Sequence, residues 1–255
     1  MPLLSKKSSI WPSLLIAATF LLAWEATVQL RHIPPYLLPA PSVALATLFA
    51  DPAYFIDALA VTASEAVVGL ACGFLAGFLI ATAISTFPWA EEGVMTLAIL
   101  VKSSPLVAIA PLLTIWLGFG WLPKVIITGL LTFFPVLVNI IVGFQSGNRE
   151  LYDLMKVFGA SEAQVFVKLK IYLSLPFIFA ALRVAAPLAI VGAVVAEWTG
   201  ASGGLGRLMW MAYANLNLPP MFAAIFMLSI TGMLVYSAVV AIEKKVIRWN
   251  MIQFS

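Results

Sequence analysis

A chain of 255 residues that is 63% hydrophobic and only 10% charged, with a mean hydropathy of +1.06, has too little polar surface to wrap a soluble globule and reads as a polytopic protein of a lipid bilayer. Its net charge of +3 comes without interleaved basic and aromatic residues, which argues against a nucleic-acid partner. The single cysteine, Cys72, excludes an intrachain disulfide and, lying in an apolar run, suits a small buried hydrophobe.

At about 20 apolar residues per span, the sequence predicts six transmembrane helices: Ile10 to Leu30, Ala58 to Phe87, Val94 to Leu117, Lys124 to Phe144, Leu173 to Trp198 and Met221 to Ile242. The start resembles a signal peptide, with Lys6 and Lys7 before an apolar centre. That apolar stretch runs on to Leu30, however, and Ala23 and Ala26 make a poor cleavage site, so an uncleaved first span is expected. The prolines between the first two spans predict an irregular segment with one short amphipathic helix at the membrane surface.

Basic residues collect on the cytoplasmic side of membranes. An N-terminus inside places Lys6, Lys7, Arg149, Lys156, Lys168, Lys170, Lys244, Lys245 and Arg248 there, against Arg31, Lys124 and Arg207 outside. On this multi-pass chain both termini are expected to be cytoplasmic.

Glu65, Gly69, Gly73 and Gly77 follow one another at intervals of four on the second span, so they share one helix face. Small residues at this spacing let backbones approach, which predicts a packing seam against a helix of this chain or of a second copy. The third span carries Ser104, Pro105 and Pro111, and prolines within a span free carbonyls that neighbours or water must satisfy. These residues, with Asn139 of the fourth span and Glu197 of the fifth, are candidates for lining a pathway; kinked packing is the competing reading.

Gly147 to Pro176 is the longest polar interruption. Within it Leu151, Leu154, Met155 and Phe158 recur at helical spacing on one face, with Glu150, Asp153 and Lys156 on the other. Gly159 suits the left-handed residue that ends such a helix, and Ser161 with Gln164 has the form of a capping box. Two short helices about Gly159 are therefore expected, the second running from Ser161 towards Ile171. The apolar face could dock into a partner's groove or lie on the lipid surface.

Asp153-Leu-Met, Gly159-Ala160-Ser161, Leu169-x-Ile171, Leu175-Pro176 and Ala181-Leu-Arg183 resemble the signature loop of permease subunits of ATP-binding-cassette importers, of the nitrate, sulfonate and taurine type that includes carriers of pyrimidine vitamin precursors. That pattern is Glu-Ala-Ala, three residues, Gly, nine residues, Ile-x-Leu-Pro. Measured from Gly159, Asp153 falls at its glutamate, Leu154 and Met155 at its alanines, Leu169 at its isoleucine, Ile171 at its leucine and Tyr172 at its proline. Pro105 to Pro123, Ala196-Glu197 and Gly203-Gly-Leu-Gly206 extend the likeness in the same order, over roughly Val61 to the end.

The resemblance implies an all-α, multi-pass protein of a bacterial plasma (inner) membrane, of the type I importer kind: a single permease domain over 1–255, a core over 61–242 and a cytoplasmic coupling loop over 147–172. It implies a homodimer, ATPase subunits that bind the ATP, and an extracytoplasmic solute-binding protein. Leu151, Asp153, Leu154, Met155, Phe158, Gly159, Ala160 and Ser161 would couple to the ATPase, and this chain would hold no cofactor of its own. Nitrate-like anions, sulfonates and pyrimidine or flavin-like vitamins are all compatible solutes, with a lean towards a small organic one.

Glu25, Glu65, Lys102, Arg183 and Glu197 fall in or near spans, where a charge costs about 2.5–3.5 kcal/mol on insertion scales and must face protein, a cavity or an interface. Glu65 is expected to make a structural hydrogen bond or ion pair, and Arg183 and Lys102 to reach the cytoplasmic interface, although both would suit an anionic solute. Gly203-Gly-Leu-Gly206 lacks the lysine of a phosphate loop and reads as a turn. His32 has no second ligand nearby, and no catalytic constellation or metal site can be assembled. Two other classes compete: an ion-coupled secondary transporter, suggested by Glu65, Glu197 and the broken third span, and a membrane enzyme of lipid metabolism, which would need a cluster of catalytic residues at one interface that the sequence does not offer. The chain by itself is expected to be a transport subunit without its own ATPase site and not an enzyme.

Overall fold

A computed structural model describes residues 11–247. Lys6, Lys7, Arg248 and the expected first residue of the first span, Ile10, lie outside the described residues, as does the side chain of Arg149. The described chain is helical throughout: α1 (Trp11–Leu30), α2 (Pro41–Ala50), α3 (Pro52–Thr86), α4 (Glu91–Ser103), α5 (Leu106–Leu117), α6 (Leu122–Gln145), α7 (Arg149–Val157), α8 (Glu162–Val165), α9 (Ile171–Glu197), α10 (Leu205–Ala214) and α11 (Leu218–Val246). Five helical stretches are long and apolar enough to cross a membrane, and a sixth crossing is made if the bent pair α4 and α5 counts as one.

Local chemistry explains where these helices begin and break. The second span starts at Pro52 rather than Ala58, because the Asp51 carboxylate accepts the Tyr54 N–H and proline suits a first turn. The third span is two helices turned by 90°: Pro105 has no N–H to donate and holds Ser104 in extended backbone at φ −70°, ψ 135°. Pro111, Pro135, Pro176 and Pro187 lie inside helices that continue past them.

The expected second short helix from Ser161 is not a separate element. It runs through a π-helical turn at Phe166–Lys170 into α9, making one stretch from Glu162 to Glu197. Cys72 is exposed on α3, not buried, since the inward face of that helix is taken by its glycines.

Two compact units divide the chain. One comprises residues up to Ile56 together with Leu208–Met227. In it, Glu25 of α1 accepts from the Ser42 N–H (3.0 Å) and hydroxyl (2.6 Å) at the first turn of α2, which accounts for this charge in the first span. The Trp24 ring stands 5.5 Å from Phe222 and 5.9 Å from Phe226.

The other unit comprises Asp57–Arg207 and the chain from Leu228 onward. Its centre is the pair α6 and α9, with α3 laid against α6. Gly69 faces Thr128, Gly73 faces Gly129 and Thr132, and Gly77 faces Val136 and Leu137, so closely that a Cβ on Gly73 would stand 2.5 Å from the Gly129 carbonyl oxygen. Lipid tails are as apolar as leucine, so this close approach, rather than expulsion of water, supplies the attraction between spans. Below the seam Val136, Leu137, Ile140 and Phe144 of α6 pack with Ile84 of α3, Ala98 of α4 and Ile178 and Ala181 of α9.

Candidate functional site

The joint between α6 and α9 is built by caps at every turn. The Asn148 side chain accepts the Glu150 N–H to start α7. Gly159, at φ +75°, ends it: its N–H donates to Lys156 (2.9 Å) and the Ala160 N–H to Met155 (3.0 Å), the paired bonds of a Schellman motif. Ser161 then opens α8 with a complete capping box to Gln164.

On the inner side of α7 the Tyr152 hydroxyl donates to the Phe144 carbonyl (3.4 Å), and its ring fills the space beside Gly147. Burial pushes the Tyr152 phenol above its ordinary value. The other side carries exposed apolar groups: Leu151, Leu154, Val157 and Phe158, the last two at 82% and 80%. Met155 is half-buried and Asp153 exposed.

A cavity of about 420 Å³ opens where α4 breaks, lined by Lys102, Leu106, Phe134, Asn139, Val184 and Leu188 among others. Lys102 Nζ stands 4.4 Å from the centroid of the Phe134 ring, within cation–π range. Asn139 donates its amide to the Pro135 carbonyl (2.8 Å), which leaves its own oxygen to accept. The size falls within the range of small-molecule pockets. Ser104 and Pro105 form the corner beside this cavity, whereas Pro111 is exposed on α5.

Glu197 stands apart from that cavity. It is fully buried, accepting the Thr62 hydroxyl (2.7 Å) on one oxygen and the Gly206 N–H (2.5 Å) on the other, while the Thr62 oxygen accepts the Leu205 N–H (2.8 Å). Gly204, at φ +99°, and Gly206 lie against this carboxylate where a Cβ would collide with it. The glycine-rich stretch therefore does receive an acidic group at a helix N-terminus, but that group is the chain's own glutamate.

One helical step away on α3, Glu65 forms a 2.6 Å ion pair with Lys124 at the start of α6, both almost wholly buried. Thr62 and Lys124 were missed from the sequence as partners, although Thr62 and Glu65 lie at i and i+3 on one face. Arg183 pairs with Glu243 of α11 at 3.2 Å. Among the described residues no group of three metal-ligating side chains occurs.

Comparison with known proteins is consistent along the chain. The family model described as binding-protein-dependent transport system inner membrane component matches residues 73–248. The formylaminopyrimidine transport permease protein ThiX of Halalkalibacterium halodurans is 34% identical over 89% of this chain and 91% of that one. The riboflavin transport system permease protein RibX of Chloroflexus aurantiacus is 29% identical over 94% and 91%, and the taurine transport system permease protein TauC of Escherichia coli 27% over 91% and 87%. A chain of the MetNI methionine ABC transporter, solved in inward-facing conformations, shares the fold with a TM-score of 0.59 at 18% identity, covering 71% of this chain and 93% of that one.

Proposed function

Because the chain belongs to the family of binding-protein-dependent transport system inner membrane components, we propose that it forms half of a solute pathway whose motion is driven from the α7 joint. As a member of that family it is a multi-pass inner-membrane permease subunit of an ATP-binding-cassette importer. In the finer reading a second copy completes the pathway, a binding protein delivers solute on the outer side, and separate ATPase subunits bind and hydrolyse ATP on the cytoplasmic side, where both termini lie.

The observation that carries this reading is α7 itself. It is a short helix with an unpartnered apolar face, fixed at its ends by caps and continued directly by an unbroken helix that becomes a span. An amphipathic helix presented this way fits a groove on a partner. A displacement of α7 would pass through the rigid Glu162–Glu197 stretch into the bundle. The residues Leu151, Asp153, Leu154, Met155, Phe158, Gly159, Ala160 and Ser161 make the joint, and Lys102, Ser104, Pro105 and Asn139 border the pathway. The solute is a small organic molecule, a reading supported by the cavity's single cation, single amide and apolar walls, and by relatives named for formylaminopyrimidine and riboflavin.

Co-expressed ATPase subunits are expected to co-purify with the intact chain. Leu154→Glu or Phe158→Glu should cut their recovery at least about tenfold, the equivalent of roughly 1.4 kcal/mol of docking energy, without changing the thermal stability of the permease. Equal recovery with both variants would place the contact elsewhere.

A further inference from the structure

Two cavities meet at the corner between α3 and α4, and neither belongs to the pathway or to the face of α7. The first, of about 200 Å³, is lined by Ser85 at the end of α3, Glu91 at the start of α4, Gln145 at the end of α6 and Lys170 in the π-helical turn. Its inner wall is apolar, with Ile84, Ile141 and Phe144. Lys170 Nζ donates to the Ser85 hydroxyl (2.9 Å), and the Gln145 amide donates to both Glu91 oxygens (3.1 and 3.2 Å). Lys170 and Glu91 face one cavity from separate elements, yet they form no ion pair with each other or with any other described residue. Each charge is held in place by a neutral neighbour, and each keeps capacity for a further partner.

The second cavity, of about 440 Å³, shares Ile84 with the first and is lined by apolar side chains alone, among them Ile80, Phe87, Val94, Leu97 and Val101. Trp89, at its rim, is 84% exposed. Tryptophan at a span end marks the level of the lipid headgroups. The polar cavity lies at the same ends of α3, α4 and α6. An anion-accepting and a cation-accepting group thus stand beside a hydrocarbon-lined groove at headgroup depth.

We propose that this corner binds one phospholipid with a phosphoethanolamine headgroup. Its phosphate is taken by Lys170 and Ser85, its ammonium by Glu91, and one acyl chain lies in the groove along α4. A primary ammonium carries three N–H donors that a carboxylate can accept. A trimethylated ammonium has none, and a purely anionic headgroup would leave Glu91 facing a like charge. Phosphatidylethanolamine is therefore selected over phosphatidylcholine and phosphatidylglycerol. Because the site touches α3, α4, α6 and the helix leading out of the joint, its occupant stiffens the corner that α7 must move. The proposal does not depend on which solute is carried.

Native mass spectrometry of the full chain, released from nanodiscs with equal parts of the three lipids, tests it. Phosphatidylethanolamine should be retained about tenfold over the other two, as expected for a hydrogen bond to a charged group. Glu91→Gln should abolish that preference, Lys170→Met should lower the retention of all three lipids, and both variants should keep wild-type thermal stability in detergent. Equal retention of the three lipids, or a preference unchanged by Glu91→Gln, would overturn the proposal. Displacement of the lipid by millimolar soluble phosphoethanolamine would also overturn it, by showing a site for a free solute rather than a lipid.

Discussion

Lys124→Met should lower the stability of the folded chain by about 3–5 kcal/mol, the cost of stranding one partner of a buried ion pair. The variant leaves the Glu65 carboxylate buried within reach of Glu197, two acidic groups with no cation between them. Combining Lys124→Met with Glu65→Leu should recover most of the loss, because the pair is then replaced by apolar packing. Thermal unfolding in detergent, read as the fraction of monodisperse protein, checks both. A double variant as unstable as the single one would mean that Lys124 acts through some other contact. The same cluster bears on mechanism: Glu65 is held by Lys124, and Glu197 by Thr62 and the Gly206 N–H, so each of these two acidic groups has its partner within the chain.

Gly159→Val should reduce uptake about tenfold while membrane insertion stays normal. A Cβ placed on Gly159 meets nothing within 4 Å, so crowding is not the reason. The backbone is: at φ +75° a side chain costs about 1–2 kcal/mol, more when β-branched, and releasing that strain undoes the Schellman turn and swings α7 away from the docking pose proposed for it. Gly159→Asn is the control, since asparagine tolerates the left-handed region and should keep most of the activity. Both variants should retain the thermal stability of the spans. Full uptake by the valine variant would show that α7 is not held by this turn.

The joint was legible in the sequence because its determinants are local. The glycine terminator and the Ser-x-x-Gln box each act within one turn and are both present, while the exposed apolar face takes Val157 beside Leu151, Leu154 and Phe158, with Met155 half-buried. The stretch beyond Ser161 departs from the expected short helix because hydropathy reports where the membrane begins, not where a helix ends. Nothing between Ile171 and Pro176 stops the backbone, so α8 and α9 are one rod.

The break in the third span shows the limit of reading prolines singly. Pro105 breaks the chain while Pro111, one turn inside α5, only forfeits a hydrogen bond, and the surroundings decide which outcome occurs. The ion pairs were out of reach for a different reason. Glu65 and Lys124 are 59 residues apart, and Arg183 and Glu243 are 60 apart. Only the packing of α3 on α6, driven by the glycine seam, brings the first pair together. Lys124, counted from the sequence as an outer-side charge, is buried against its partner, which the count of basic residues could not foresee.

The most direct test of the proposed transport function is solute uptake into proteoliposomes holding this chain, with the ATPase subunits and binding protein proposed for it and the solute that protein carries. Uptake should require ATP on the ATPase side and should persist when proton and sodium gradients are dissipated. Uptake by this chain alone without the ATPase, or uptake that collapses with the gradients while ATP stays high, would contradict it.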